Sequence, residues 1–198
     1  MVTDDAVLKE IHDNQKTLEI EAKWFQEREE YSKILNNIKS FRVLKMPHIL
    51  QALFFLNMME RDRICDPNSN KLSWKKAKGL IVDWLPAKLV QYKVWGEKKD
   101  EYKPYNRINY CEKIISQFTQ EEVDAYHVGL GKLFKWLKMA IDTRKQDVIR
   151  RKAIQKKNRE EKASKEEAKA KREADREAFL LEQETLFNEQ NKDDIEAY

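Results

Sequence analysis

The sequence predicts an all-α protein: a small helical bundle inserted between two long helices that form an antiparallel coiled-coil stalk. Three observations lead there. The 198 residues include only four glycines and four prolines, the residue types that most readily interrupt helices. Charged residues make up 37% and apolar residues 41%, a balance that long helices satisfy by burying one narrow stripe and leaving the rest in water. All the prolines, all the glycines, both cysteines and every tryptophan except Trp24 fall between Pro47 and Ala140. The expected organisation is an N-terminal arm over 1–45, a helical tip over 46–140, and a C-terminal arm with a charged tail over 141–198.

In the first arm, Asp4 and Asp5 complement the positive end of a helix. Val7, Ile11, Leu18 and Phe25 recur at four- and seven-residue steps, as one side of a helix requires. Ile34, Ile38 and Phe41 continue the stripe in a shifted phase, which predicts a local change of register. A stripe this thin cannot stabilise a lone helix, so a partner is required. Residues 20–40 are expected beside the stretch that follows residue 140. Pro47 ends the arm by pushing the preceding residue out of helical geometry.

The tip opens with a nearly all-round apolar helix from Pro47, carrying Ile49, Leu50, Leu53, Phe54 and Leu56 to Met59, with Met58 and Met59 as core filler. Cys65 to Asn70 is a turn by composition. Ser73 is placed to cap a helix holding Trp74, Ala77, Leu80, Ile81 and Trp84. Pro86 ends it and opens a short helix with Leu89 and Tyr92 facing inward. Val94 to Lys103 reads as an exposed loop bent at Gly96, with Trp95 covering the core or contacting a partner. Pro104 then opens a helix with Ile108, Cys111, Ile114 and Ile115. Thr119 and Glu122 form a capping box that starts a helix through Val123, Tyr126, Leu130, Leu133, Phe134, Leu137 and Ile141. Gly129 and Gly131 interrupt it, marking close helix contact or a kink. Trp74, Trp84 and Trp136 are assigned to the core.

In the second arm, Leu133, Leu137, Ile141 and Val148 form a sparse stripe to pair with the first. From Gln155 to Ala178 the apolar residues are alanines, among them Ala163, Ala170, Ala174 and Ala178, amid Lys, Arg and Glu. Such a segment is either a solitary helix held by i,i+4 ion pairs or a close alanine seam. Phe179, Leu180, Leu181, Leu186 and Phe187 make a last apolar patch, suited to docking near Val7 or on a partner. Phe179, Leu180, Leu186 and Phe187 are the partner-docking candidates.

Little here resembles catalytic machinery. The sequence carries no phosphate loop, glycine fingerprint or nucleophile elbow. His12, His48 and His127 are widely spread, and Cys65 and Cys111 lack metal-ligand spacing, so both cysteines read as reduced thiols. The expectation is a non-enzyme with no cofactor and no metal. The formal net charge of +4 conceals a basic stretch, Arg144 to Arg172, followed by an acidic one, Glu173 to Tyr198. The near balance of 39 basic and 35 acidic residues argues against a dedicated nucleic-acid binder. With no secretory leader at the start and no apolar run of membrane-spanning length, the expected setting is cytoplasmic, with no membrane partner.

The tip and its flanks resemble the microtubule-binding domain at the end of the dynein heavy-chain stalk. The order of landmarks is similar. An arm ends at Pro47, and the apolar helix Ile49 to Met59 follows. A turn leads into Trp74-Lys75-Lys76-Ala77-Lys78-Gly79-Leu80-Ile81, like the family's tryptophan, alanine-lysine and paired aliphatics. Leu85 to Tyr92 is similar to its short leucine- and tyrosine-bearing helix. Phe118 and Val123 precede Leu133, Lys135, Trp136, Leu137 and Ala140, which resemble the opening of the family's return helix. The resemblance covers roughly 42–149. It implies an all-helical tip on a coiled-coil stalk and contact with an acidic tubulin surface, in a non-motor protein of the ciliary or flagellar axoneme with tubulin and other axonemal coiled-coil proteins as partners. Lys75, Lys76, Lys78, Lys132 and Lys135 would meet tubulin, with Arg144, Arg150 and Arg151 nearby. Two departures stand out: Ile49 to Met59 lacks the lysine usual in the family's first tip helix, and the return helix lacks its proline.

Overall fold

The computed structural model describes the backbone of residues 4–94 and 105–196 and the side chains of 5–94 and 107–187. The expectations for Trp95, Gly96 and Pro104 lie outside the described residues. Among those residues the fold is all-helical apart from one antiparallel bridge, Cys65 to Leu72. The chain forms two units, Met1–Arg150 and Arg151–Tyr198. Both arms supply core residues to the first unit, among them Ile11, Leu18, Leu35 and Ile141.

The first arm forms α1 (Asp4–Glu27) and α2 (Glu29–Ser40). The expected phase slip takes the form of a break at Arg28, which adopts extended angles of φ −93° and ψ 127°. Phe25 and Tyr31 meet edge to face across it at 4.9 Å. Helix α2 stops at Ser40, short of the expected Lys45.

Helix α3 (Pro47–Leu56) begins with its proline in the first turn, where a missing N–H costs nothing. It is buried from Ile49 to Leu56. It ends three residues earlier than expected. Met58 takes the left-handed conformation, with φ 68°, and the Met59 N–H reaches back to the Phe54 carbonyl at 2.9 Å. This closure leaves Met58 exposed while Met59 stays in the core, so only one of the two is core filler.

A short α4 (Arg61–Ile64) follows, which the sequence does not announce. In the next turn Asp66 Oδ1 accepts from the main-chain N–H groups of Asn68 and Ser69, at 2.9 and 3.0 Å. Then come α5 (Trp74–Asp83), α6 (Leu85–Val90), α7 (Tyr105–Ile115), α8 (Gln120–Tyr126) and α9 (Val128–Glu196). Ser73 stands at the N-cap of α5 without a side-chain bond. Thr119 and Glu122 make both bonds of their capping box, at 3.2 and 2.9 Å. Helix α3 packs on α7, α5 on α2 and α6 on α1.

The start of α9 runs antiparallel to α2 and α1. His127, just before it, meets Asn37 at 3.2 Å. Farther along, Lys132 reaches the Tyr31 hydroxyl at 3.2 Å, Trp136 the Leu18 carbonyl at 3.0 Å and Gln146 the Glu10 carboxylate at 3.1 Å. One residue number rises as the other falls. Pairing is therefore as expected in direction but not in register: residues 31–37 face 127–132, and Gln146 lies beside Glu10. The helix interruption falls at His127, with φ −164° and ψ 118°, and the glycines serve close approach instead. A Cβ on Gly129 would lie 2.0 Å from Ile34 Cγ2, and one on Gly131 would lie 1.7 Å from Asp124 Oδ1.

Val94, expected in an exposed loop, is buried. Gln15 Oε1 accepts its N–H at 2.7 Å, Gln15 Nε2 donates to the Tyr92 carbonyl at 3.2 Å, and Arg144 Nη1 donates to the Val94 carbonyl at 2.7 Å. Side chains from α1 and α9 thus satisfy this irregular backbone from both sides.

In the unit Arg151–Tyr198 every described side chain from 155 onward is exposed. Lys156–Glu160, Lys157–Glu161, Lys162–Glu166 and Lys169–Glu173 form i,i+4 pairs. Of the two alternatives for this segment, the ion-paired solitary helix is the one observed, and the alanines are exposed rather than joined in a seam. No helix among the described residues is long and apolar enough to cross a membrane.

Candidate partner-binding surfaces

Helix α5 turns Ala77 and Ile81 into the core, which sets Lys75 and Lys76 outward. Trp74 fixes the helix at its start by donating its indole N–H to the Phe41 carbonyl at 2.9 Å. Lys78, one turn on, lies over the Trp74 ring at 5.6 Å from its centroid. Lys76 Nζ donates to the carbonyls of Asp62 and Cys65, at 3.1 and 2.9 Å, so it holds the end of α4 as well as facing solvent. Of the three, Lys75 has no structural task among the described residues.

Lys132 and Lys135 lie on α9 opposite the break between α1 and α2. With Glu21, Trp24, Phe25 and Tyr31 they line a cavity of about 230 Å³. Lys132 sits over the Tyr31 ring, 4.5 Å from its centroid. Burial pushes the Glu21 carboxyl above its ordinary value, while Lys135 and Lys132 pull it down. The positive charge here is thus partly answered from within the protein.

The arginines fall into a different environment. Arg144 is 1% exposed and forms a 2.8 Å pair with Asp147, which is 0% exposed. It is withdrawn from the tubulin-facing set, because its guanidinium is spent on Asp147 and the Val94 carbonyl inside the core. Arg150 is mostly buried and lies 3.5 Å from the same aspartate. Arg151 is half-buried at the start of the second unit. The structure therefore separates the eight cations into an α5 group, an α9 pair against the α1–α2 break, and arginines gathered around or beyond Asp147.

The docking candidates are open to solvent: Phe179, Leu180, Leu186 and Phe187 are each about half exposed or more, as is Leu181. Phe179 and Leu186 are seven residues apart, as are Leu180 and Phe187, so they share one side of the helix.

The thiols are poor nucleophiles. Burial pushes Cys111 up to about 12, with its Sγ set 3.3 Å from the Ala52 carbonyl, and also raises Cys65. Among the described residues no three His, Cys, Asp or Glu side chains converge as a metal site needs. Sequence reading missed a third surface, a cavity of about 310 Å³ lined by Phe55, Met59, Arg61, Arg107 and Tyr110. Its only signal in sequence is the cluster Arg61 and Arg63 after the apolar helix. No protein-family model, curated protein or solved structure matches the chain.

Proposed function

We propose that this chain is a non-enzymatic microtubule-associated structural protein of the ciliary or flagellar axoneme, contacting tubulin through the helical tip. The observation that supports the reading is topological. Helices α3 to α8 are inserted between an α1–α2 arm and an antiparallel return helix, and Trp136, one of the residues carrying the dynein-stalk resemblance, bonds back to that arm. In this reading the α1–α2/α9 pair is the stalk. Lys75, Lys76 and Lys78 on α5 supply the main charge toward an acidic tubulin face, with Lys135 and Lys132 assisting. Attraction of this kind weakens as salt screens it. Co-sedimentation with microtubules at low and high salt tests it. Pelleting at low salt that falls at high salt, and falls with Lys75→Glu/Lys78→Glu, is the expected result; no pelleting at low salt removes the proposal.

The exposed patch Phe179, Leu180, Leu186 and Phe187 favours a second reading, a coiled-coil scaffold or adaptor joined to other proteins of a large assembly without touching tubulin. Phe179→Glu/Leu186→Glu would then abolish incorporation into the assembly and leave the first unit folded.

A further inference from the structure

The cavity at the end of α3 belongs to neither reading of function. Arg61 on α4 lies 5.9 Å from the ring centroids of both Phe55 and Tyr110, which are themselves 5.5 Å apart. At this distance the cation is drawn to both ring faces, and the exposed guanidinium keeps N–H donors for a bidentate acceptor. Among the described residues Arg61 has no ion-pair partner. Arg107 brings a second positive charge to the wall, its Nη1 set 3.4 and 3.3 Å from the carbonyls of Phe55 and Met59. Gln51 steadies Tyr110 by donating to its hydroxyl at 3.3 Å. None of the described residues that line the cavity is acidic. Its volume, about 310 Å³, is at the small end of ligand pockets and suits one or two side chains. Tyr110, at 37% exposed, carries the aromatic wall out to the surface.

We propose that this cleft binds an acidic segment of a partner protein, seating an aromatic side chain against Phe55, Met59 and Tyr110 while a neighbouring carboxylate pairs with Arg61. Complementarity of charge selects the occupant: among the described residues two cations and no carboxylate line the cleft, and the aromatic walls add apolar contact that a bare anion cannot use. The inference does not rest on the microtubule reading, since none of the α5 lysines lines the cleft.

The test is fluorescence anisotropy with the full chain and a fluorescein-labelled peptide bearing a central phenylalanine flanked on each side by two glutamates. A second peptide has serine in place of the phenylalanine. Saturable binding of the first peptide is expected, weaker by about tenfold for Arg61→Glu and for the serine peptide, as loss of a charge-assisted bidentate contact or of an aromatic anchor implies. Arg63→Glu, an exposed neighbour outside the cleft, controls for general charge attraction and should bind within about twofold of the unaltered chain. Circular dichroism confirms that both variants are folded. The proposal is overturned if the first peptide does not saturate at millimolar concentration, if Arg61→Glu binds it as well as the unaltered chain, if Arg63→Glu weakens it as much as Arg61→Glu, or if the serine peptide binds equally.

Discussion

The guanidinium of Arg144 donates to the main-chain carbonyl of Val94 at 2.7 Å, within the core of the first unit. The same Nη1 lies 2.8 Å from Asp147, so one buried cation joins the irregular segment after α6 to the return helix. Removing Arg144 takes away the closer of two arginines at Asp147 and leaves the buried carboxylate with Arg150 at 3.5 Å, so the cost falls toward the lower end of the about 3–5 kcal/mol of a broken buried pair. Arg144→Ala is therefore expected to lower the urea midpoint sharply. Adding Asp147→Ala should cost less than the two single losses together, because the stranded carboxylate is gone.

At Gly129 the backbone of α9 lies against Ile34 of α2. An alanine there would drive its Cβ to 2.0 Å from Ile34 Cγ2, a methyl on a stiff branched side chain. Gly129→Ala should destabilise by about 1–3 kcal/mol, the usual cost of overpacking. In that background Ile34→Ala should cost less than it does in the unaltered chain, and a double-mutant cycle measured by urea unfolding reads the difference directly.

His127 caps α9: its Nδ1 accepts the Leu130 N–H at 3.2 Å, which places the ring proton on Nε2, facing Asn37 Oδ1 at 3.2 Å. Burial holds its pKa below the ordinary 6.5. The unfolded chain therefore takes up the proton first, so the stabilisation is fully present above pH 6.5 and is lost as pH falls through the folded value. His127→Asn, which can accept at the cap without titrating, should show a shallower fall in stability between about pH 7 and 5. An equal slope in the two proteins would show that His127 makes no such contribution.

Trp136 is wholly buried and donates its indole N–H to Leu18 in the middle of α1. Trp136→Phe keeps an aromatic ring and loses that bond, for about 1–2 kcal/mol, whereas Trp136→Ala should cost about 3–5 kcal/mol. Urea titrations of the two variants should separate accordingly.

The apolar periodicity of Ile11, Leu18, Phe25, Leu133, Leu137 and Ile141 was enough to foresee two antiparallel helices, and Pro47, Pro86 and the Thr119–Glu122 box marked three helix starts. Register was not legible, because a sparse stripe tolerates a shift of a turn and the side-chain bonds that fix it, Trp136 to Leu18 and Lys132 to Tyr31, leave no periodic trace. The buried role of Arg144 was hidden for a similar reason. An arginine at the head of a basic run reads as surface until its partners are placed, and those are an aspartate three residues on and a backbone carbonyl fifty residues away. The cleft around Arg61 escaped because its walls come from three separate helices, α3, α4 and α7.

The segment after Arg151 is helical, with its described side chains exposed from 155 onward and ion pairs repeated along its turns. Melting it uncovers almost no hydrocarbon, so it absorbs little heat beyond that of its backbone bonds and adds almost nothing to the heat-capacity step. A scanning calorimeter would register the tryptophan-rich part of the molecule, while ellipticity at 222 nm would decline gradually over a far broader range of temperature. The two instruments would disagree about when this protein unfolds, and the gap between them would be the thermal signature of a helix without a core.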